Sequence, residues 1–199
     1  MFKYTSVKPH SEMPATDLDW GLQVNSNLSQ REWPTDGEGQ RVLELTAANL
    51  ILAVSDLRTE VGRPIMPSPV AGAHVRQRTR RPGRHNGDRH SVDEIFPLSD
   101  AGDFFCRWED AWLFLSAAEK HKDIHGIGIY TDMIFRGTAE GTYAMLHFDC
   151  RTLPEEVGFK ELEWVGWRES VNNRMKYVYK QYDPVEYHRI LGERGKKKT

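Results

Sequence analysis

The residues through which this chain could do chemistry near neutral pH are its eight histidines, because a neutral imidazole both transfers protons and binds divalent metal. Sorting them by their neighbours narrows the field. His10 and His188 fall in terminal segments and His121 at a polar helix end, whereas His85, His90 and His147 stand near Asp93 and Asp149. A catalytic zinc ion is usually held by three protein donors with a fourth position left to water, and histidine with ionised aspartate is a suitable set. The run Tyr143 to Arg151 places two candidates. Strand alternation puts Ala144, Leu146, Phe148 and Cys150 on one face, and Tyr143, Met145, His147, Asp149 and Arg151 on the other. His147 and Asp149 then project side by side, either as part of a metal site or as a hydrogen-bonded polar pair oriented by Arg151. Asp93 opens Asp-Glu-Ile-Phe-Pro, where a polar loop meets an apolar strand.

These side chains need a frame. Residues 1–40 carry Pro9, Pro14, Pro34, Gly37 and Gly39 without a sustained period, the pattern of an arm. From Arg41, Val42, Leu45, Leu50, Ala53, Val54, Leu57 and Val61 recur at helical intervals, with Gly62 and Pro64 as the stop. Phe104, Trp108, Ala111, Trp112, Leu115 and Ala118 predict a second helix from about Asp103 to Lys120, capped by Asp100 or Asp103, with Cys106 inside it. His125 to Tyr130 sets two glycines among β-formers, which predicts a strand closely approached by backbone or ligand. Trp164 to Trp167 reads as another strand. Asp183-Pro184-Val185-Glu186 has the form of a helix start with Gly192 as its stop, and a basic tail follows from Arg194.

Composition sets the outer bounds. With 27 Lys plus Arg against 29 Asp plus Glu, the net charge is -2, so polyanion binding would need a local patch. One such patch exists between His74 and His90, where Arg76, Arg78, Arg80, Arg81, Arg84 and Arg89 face only Asp88. A solvated loop is the simpler reading on an otherwise acidic chain, which disfavours a nucleic-acid partner. A hydrophobic share of 39% excludes a wholly disordered chain, and 199 residues suit one domain with extensions. Two cysteines exclude a disulfide scaffold and read as small core residues. The longest apolar stretch, Leu45 to Ser55, falls well short of the roughly 20 residues of a membrane span. The N-terminal residues lack a secretory pattern, so the expectation is synthesis in the cytoplasm and no membrane association.

Two blocks carry a family resemblance. Arg84-His85-Asn86-Gly87-Asp88-Arg89-His90-Ser91-Val92-Asp93 with Ile95-Phe96-Pro97 resembles the first metal motif of the zinc D-alanyl-D-alanine carboxypeptidase and L-alanyl-D-glutamate endopeptidase family. Gly126-Ile127-Gly128-Ile129-Tyr130, then Leu146-His147-Phe148-Asp149-Cys150-Arg151 and Trp164, is similar to the closing block of its phage-borne branch. The helix ending Leu57-Arg58-Thr59-Glu60-Val61-Gly62-Arg63-Pro64-Ile65 also fits that branch, and the likeness spans roughly residues 41 to 168. It implies an α+β fold of the hedgehog/DD-peptidase kind, a small antiparallel sheet with flanking helices. That divides the chain into an arm at 1–40, a peptidase-like domain at 41–168 and a C-terminal extension with a short helix at 169–199. It further implies zinc on His85, Asp93 and His147, Asp149 as base or as a partner of the ligands, and Arg76 polarising the carbonyl or binding a substrate carboxylate.

Departures leave alternatives. His85 and Asp93 have seven residues between them, one more than the family spacing, so that the loop bulges, the donor is lost, or His90 replaces His85. Ser68-Pro69-Val70-Ala71 stands where the family has its substrate-binding arginine segment, and Ala144 stands where an acid precedes the last histidine by three. Two functions follow as expectations. One is a phage-encoded zinc peptidase cutting peptidoglycan peptides. The other is a virion structural protein that reuses the fold, its arm, arginine loop and basic tail contacting other phage structural proteins.

Overall fold

A computed structural model of the chain describes residues 9–24, 28–35, 42–70, 73–77, 90–92, 97–130, 135, 138–139, 142–150, 162–171 and 174–181. Within them lie helices α1 (Ala48–Val61) and α2 (Ala111–Ala118). The strands are β1 (Met66–Pro67), β2 (Arg76–Gln77), β3 (Ser91–Val92), β4 (Ala101–Arg107), β5 (Gly126–Tyr130), β6 (Tyr143–Asp149), β7 (Leu162–Val171) and β8 (Arg174–Gln181). One sheet has the order β1-β4-β6-β5-β7-β8, and β2 pairs with β3 apart from it. The fold class is α+β. Its large sheet is antiparallel at every pairing except β5 with β7, which run parallel, so the sheet is mixed rather than wholly antiparallel. In the sheet β5 lies between β6 and β7.

The helical period from Arg41 is broken into two pieces. A 3-10 turn at Val42–Leu45 precedes α1, and between them Thr46 and Ala47 make bridges to Ser99 and Pro14. Ala47 supplies no side-chain cap; instead Ala48 N–H donates to the Met13 carbonyl at 2.8 Å. That bond satisfies one of the amides a helix start leaves open. At the other end Gly62 takes the left-handed conformation, φ 65°, and its N–H closes on the Arg58 carbonyl, the usual role of a glycine after a helix. The described residues before Arg41 form no core of their own. Ala15, Leu18, Val24, Leu28 and Trp33 are buried within the main core, so this segment lies on the domain.

The second predicted helix is corrected in its first half. Residues 101–107 are β4, Trp108–Asp110 is a 3-10 turn, and α2 begins only at Ala111, so neither Asp100 nor Asp103 is a cap. Every residue of β4 before Arg107 is buried. A strand covered on both faces shows no alternation, and its apolar run merges with the helical stripe that follows. Cys106 is therefore a strand residue; it and Cys150 are buried free thiols, both pushed up by burial.

Phe104, Cys106, Ile127, Ile129, Ala144, Leu146, Phe148 and Val165 form the sheet side of the main core, with Leu50, Ile51, Val54, Leu57, Phe114 and Leu115 of the two helices opposite. Each Val, Leu, Ile or Phe among them stabilises the fold by about 1.5–3 kcal/mol relative to exposure. On the other sheet face Phe105, Tyr130 and Met145 make a second, smaller cluster with Met66, Phe135, Tyr143 and Trp164. The face of β6 that alternation assigned to His147 is thus covered rather than solvated. Among the described residues no helix is long and apolar enough to cross a membrane.

Candidate metal centre

Strand register sets the first two donors. Asp103 on β4 lies directly opposite His147 on β6; His147 in turn faces Gly128 on β5, which faces Trp164 on β7. Because residues opposite one another in a sheet share a face, these four make a transverse row. The third donor, His90, immediately precedes β3, whose short parallel ladder with β2 anchors it.

His147 Nδ1 is 2.9 Å from Asp103 Oδ1 and 3.2 Å from His90 Nε2, and His90 Nε2 is 3.8 Å from Asp103 Oδ1. All three side chains are buried. Donors bound at about 2.0–2.1 Å around a tetrahedral ion lie about 3.3–3.4 Å apart, and the three separations straddle that edge. The two imidazole nitrogens, 3.2 Å apart, would repel one another if both carried protons. A cation among them accepts a lone pair from each. The group His90, Asp103 and His147 could hold a metal ion.

Behind this group, Asp149 Oδ2 lies 3.4 Å from His147 Nε2, on the ring edge away from Asp103. The Asp149 side chain is fully buried. Burial alone would depress the His147 imidazolium, but hydrogen bonds to Asp103 and Asp149 and the charges of both carboxylates outweigh it and raise the group from 6.5 to about 9. Burial alone would raise Asp103, yet the hydrogen bond from His147 and the nearby His90, His147 and His74 hold its carboxyl below the ordinary range. The cluster therefore favours positive charge at its centre, supplied by a proton or by a metal ion.

His74 behaves differently. Its Nε2 donates to the Ser68 carbonyl at 3.0 Å, and its ring packs between Trp33 and Phe104 at 4.8 and 5.6 Å. Burial pushes it down to about 4, opposed by the Ser68 bond and Asp103, so it is a neutral core residue.

Of the residues singled out from the sequence, His147 and Asp149 stand side by side as alternation requires. His85 and Asp93 lie outside the described residues, and Arg76 is placed by its backbone in β2, its side chain outside them. The described cluster takes its other donors from His90, already the alternative to His85, and from Asp103, which the helical reading hid. One signal could have exposed Asp103. Gly102 directly precedes it, and glycine is a poor helix interior residue; a Cβ there would press on the His74 ring and on Phe104. The two glycines of His125–Tyr130 do mark close approach, and what approaches is the Asp149 carboxylate at Gly126 and the Trp164 indole at Gly128. Comparison of the chain with protein-family models, with curated proteins and with solved structures finds no match in any of the three.

Proposed function

We propose that this chain is a zinc-dependent peptidase acting on peptidoglycan peptides, phage-encoded, with the ion held by His90, Asp103 and His147. The observation that carries the reading is the convergence of His90 Nε2, Asp103 Oδ1 and His147 Nδ1, from three separate segments, at the spacing of a tetrahedral ion with three protein ligands. Two imidazoles and one carboxylate suit zinc among the common divalent ions. Zinc so held supplies a water of lowered pKa and polarises a peptide carbonyl. The chain's own part is to present three donors on two adjacent strands and one short ladder. Asp149 turns its carboxylate to the far edge of His147, and Arg76 enters as the candidate for a substrate carboxylate.

A second reading, a virion structural protein that retains the fold without hydrolysis, is favoured by Ala144. That residue occupies the place of an acid three positions before His147, and it is buried in the main core. Zinc content of the purified chain separates the readings first. One equivalent in the unaltered protein and little in a His147→Ala variant is expected, and equal, negligible zinc in both refutes the metal centre. Release of free amines from purified peptidoglycan by the zinc-loaded protein is expected next. Zinc without amine release leaves the structural reading.

A further inference from the structure

The two glycines of β5 sit in extended strand backbone; among the described glycines positive φ occurs at Gly62 alone. Neither Gly126 nor Gly128 is there to satisfy a turn, and glycine weakens a strand interior. Space is the remaining reason. A Cβ on Gly126 would overlap the Asp149 carboxylate, and a Cβ on Gly128 would overlap the Trp164 indole. The register makes both overlaps direct. Gly126 pairs with Asp149, and Gly128 pairs with His147 on one side and Trp164 on the other.

We infer that Gly126-Ile127-Gly128 is a seat for the His147 ring, Gly126 admitting Asp149 and Gly128 admitting Trp164, and that these two side chains fix the orientation in which His147 offers Nδ1 to the metal. This rests on the metal reading of the site. Asp149 accepts from Nε2–H at 3.4 Å, so the proton that an ion would displace is the one on Nδ1, which faces Asp103 and His90. Trp164 lies against the ring with centroids 5.3 Å apart, and Tyr130 packs on Trp164 at 4.9 Å. The His90 ring stands 4.9 Å away. Rotation of the imidazole is thus opposed at one edge by a hydrogen bond and across its face by an indole. Asp149 is accordingly a positioning residue acting through His147, since its carboxylate lies at the edge remote from the other donors. Carboxylates that orient metal-bound histidines in this way are generally worth 10–100-fold in metal affinity.

The test uses the full chain loaded with zinc, or with cobalt(II) as a spectroscopic substitute, and measures affinity by competition with a chelator. Asp149→Ala and Gly126→Ala should each weaken zinc binding by about 10–100-fold and alter the cobalt(II) visible spectrum. Asp149→Asn keeps an acceptor oxygen and should recover much of that loss. Gly128→Ala, which displaces Trp164, should weaken binding in the same direction. Should a glycine variant fail to fold, the comparison of Asp149→Ala with Asp149→Asn decides. Unchanged affinity and spectrum in Asp149→Ala, while the unaltered chain binds, overturns the positioning role and leaves the metal centre standing. No zinc or cobalt bound by the unaltered chain overturns the metal reading and this inference with it.

Discussion

Removing the negative charge at the heart of the cluster, by Asp103→Asn, should change how the metal-free protein responds to alkali. The raised His147 fixes the sign. A histidine lifted from 6.5 to about 9 contributes stability that is fully present below pH 6.5 and is lost as the pH climbs to about 9. Raising the group from 6.5 to about 9 corresponds to about 3 kcal/mol. Asp103 and His147 share one interaction seen from its two ends, so the depressed carboxyl adds no separate energy in this range. Denaturant unfolding of chelator-treated protein between pH 6 and 9.5 reads it directly. The unaltered chain should lose about 3 kcal/mol across that span, and Asp103→Asn should lose much less, because the 2.9 Å carboxylate partner is gone. Metal uptake follows the same proton. At pH 7 a site that binds its proton with a value near 9 must give it up, so apparent zinc affinity should tighten about tenfold per pH unit up to pH 9. Calorimetry in buffers of different ionisation enthalpy should count at least one proton released per zinc at pH 7.5. A flat stability profile between pH 6.5 and 9, or zinc uptake without proton release, would refute the argument.

On the acid side, His74 gives the opposite slope. Pushed down to about 4 by burial, it contributes stability present above pH 6.5 and lost as the pH falls from there towards 4, about 3 kcal/mol in all; His74→Phe should flatten that window in denaturant unfolding. Gly62→Ala tests backbone strain alone, since a Cβ there would meet nothing within 4 Å while φ is 65°. A loss of about 1 kcal/mol with an unchanged denaturant slope is expected by urea titration, and a neutral result would show that the turn relaxes.

The sequence was most readable where one physical rule acted alone. Period two along Tyr143 to Arg151 placed His147 and Asp149 on one face, Gly126 and Gly128 announced close approach, and Gly62 ended α1, because each depends on local geometry. Asp103 was hidden because β4 is covered on both sides: Phe104 and the apolar residues after it join Trp108, Ala111 and Leu115 at a spacing that imitates one helix. His90 could be singled out as a candidate but not placed, since its neighbour in the site is 57 positions along the chain and nothing local records that distance. Trp33 and Leu28 read as parts of an arm because they flank a 3-10 turn with no buried residue of its own, which leaves no period to read.

The central place of β6, hydrogen-bonded to β4 on one edge and β5 on the other, divides the labour of assembling the cluster unevenly. His147 and Asp103 are brought together by seven consecutive strand pairings and stand ready before any ion arrives, whereas the ladder beside His90 has two pairings among the described residues. An ion captured there would act as a clasp, fastening His90 and the β3 strand it precedes onto the large sheet. Its removal should leave amide protection high along β4 and β6 while protection around His90 falls away.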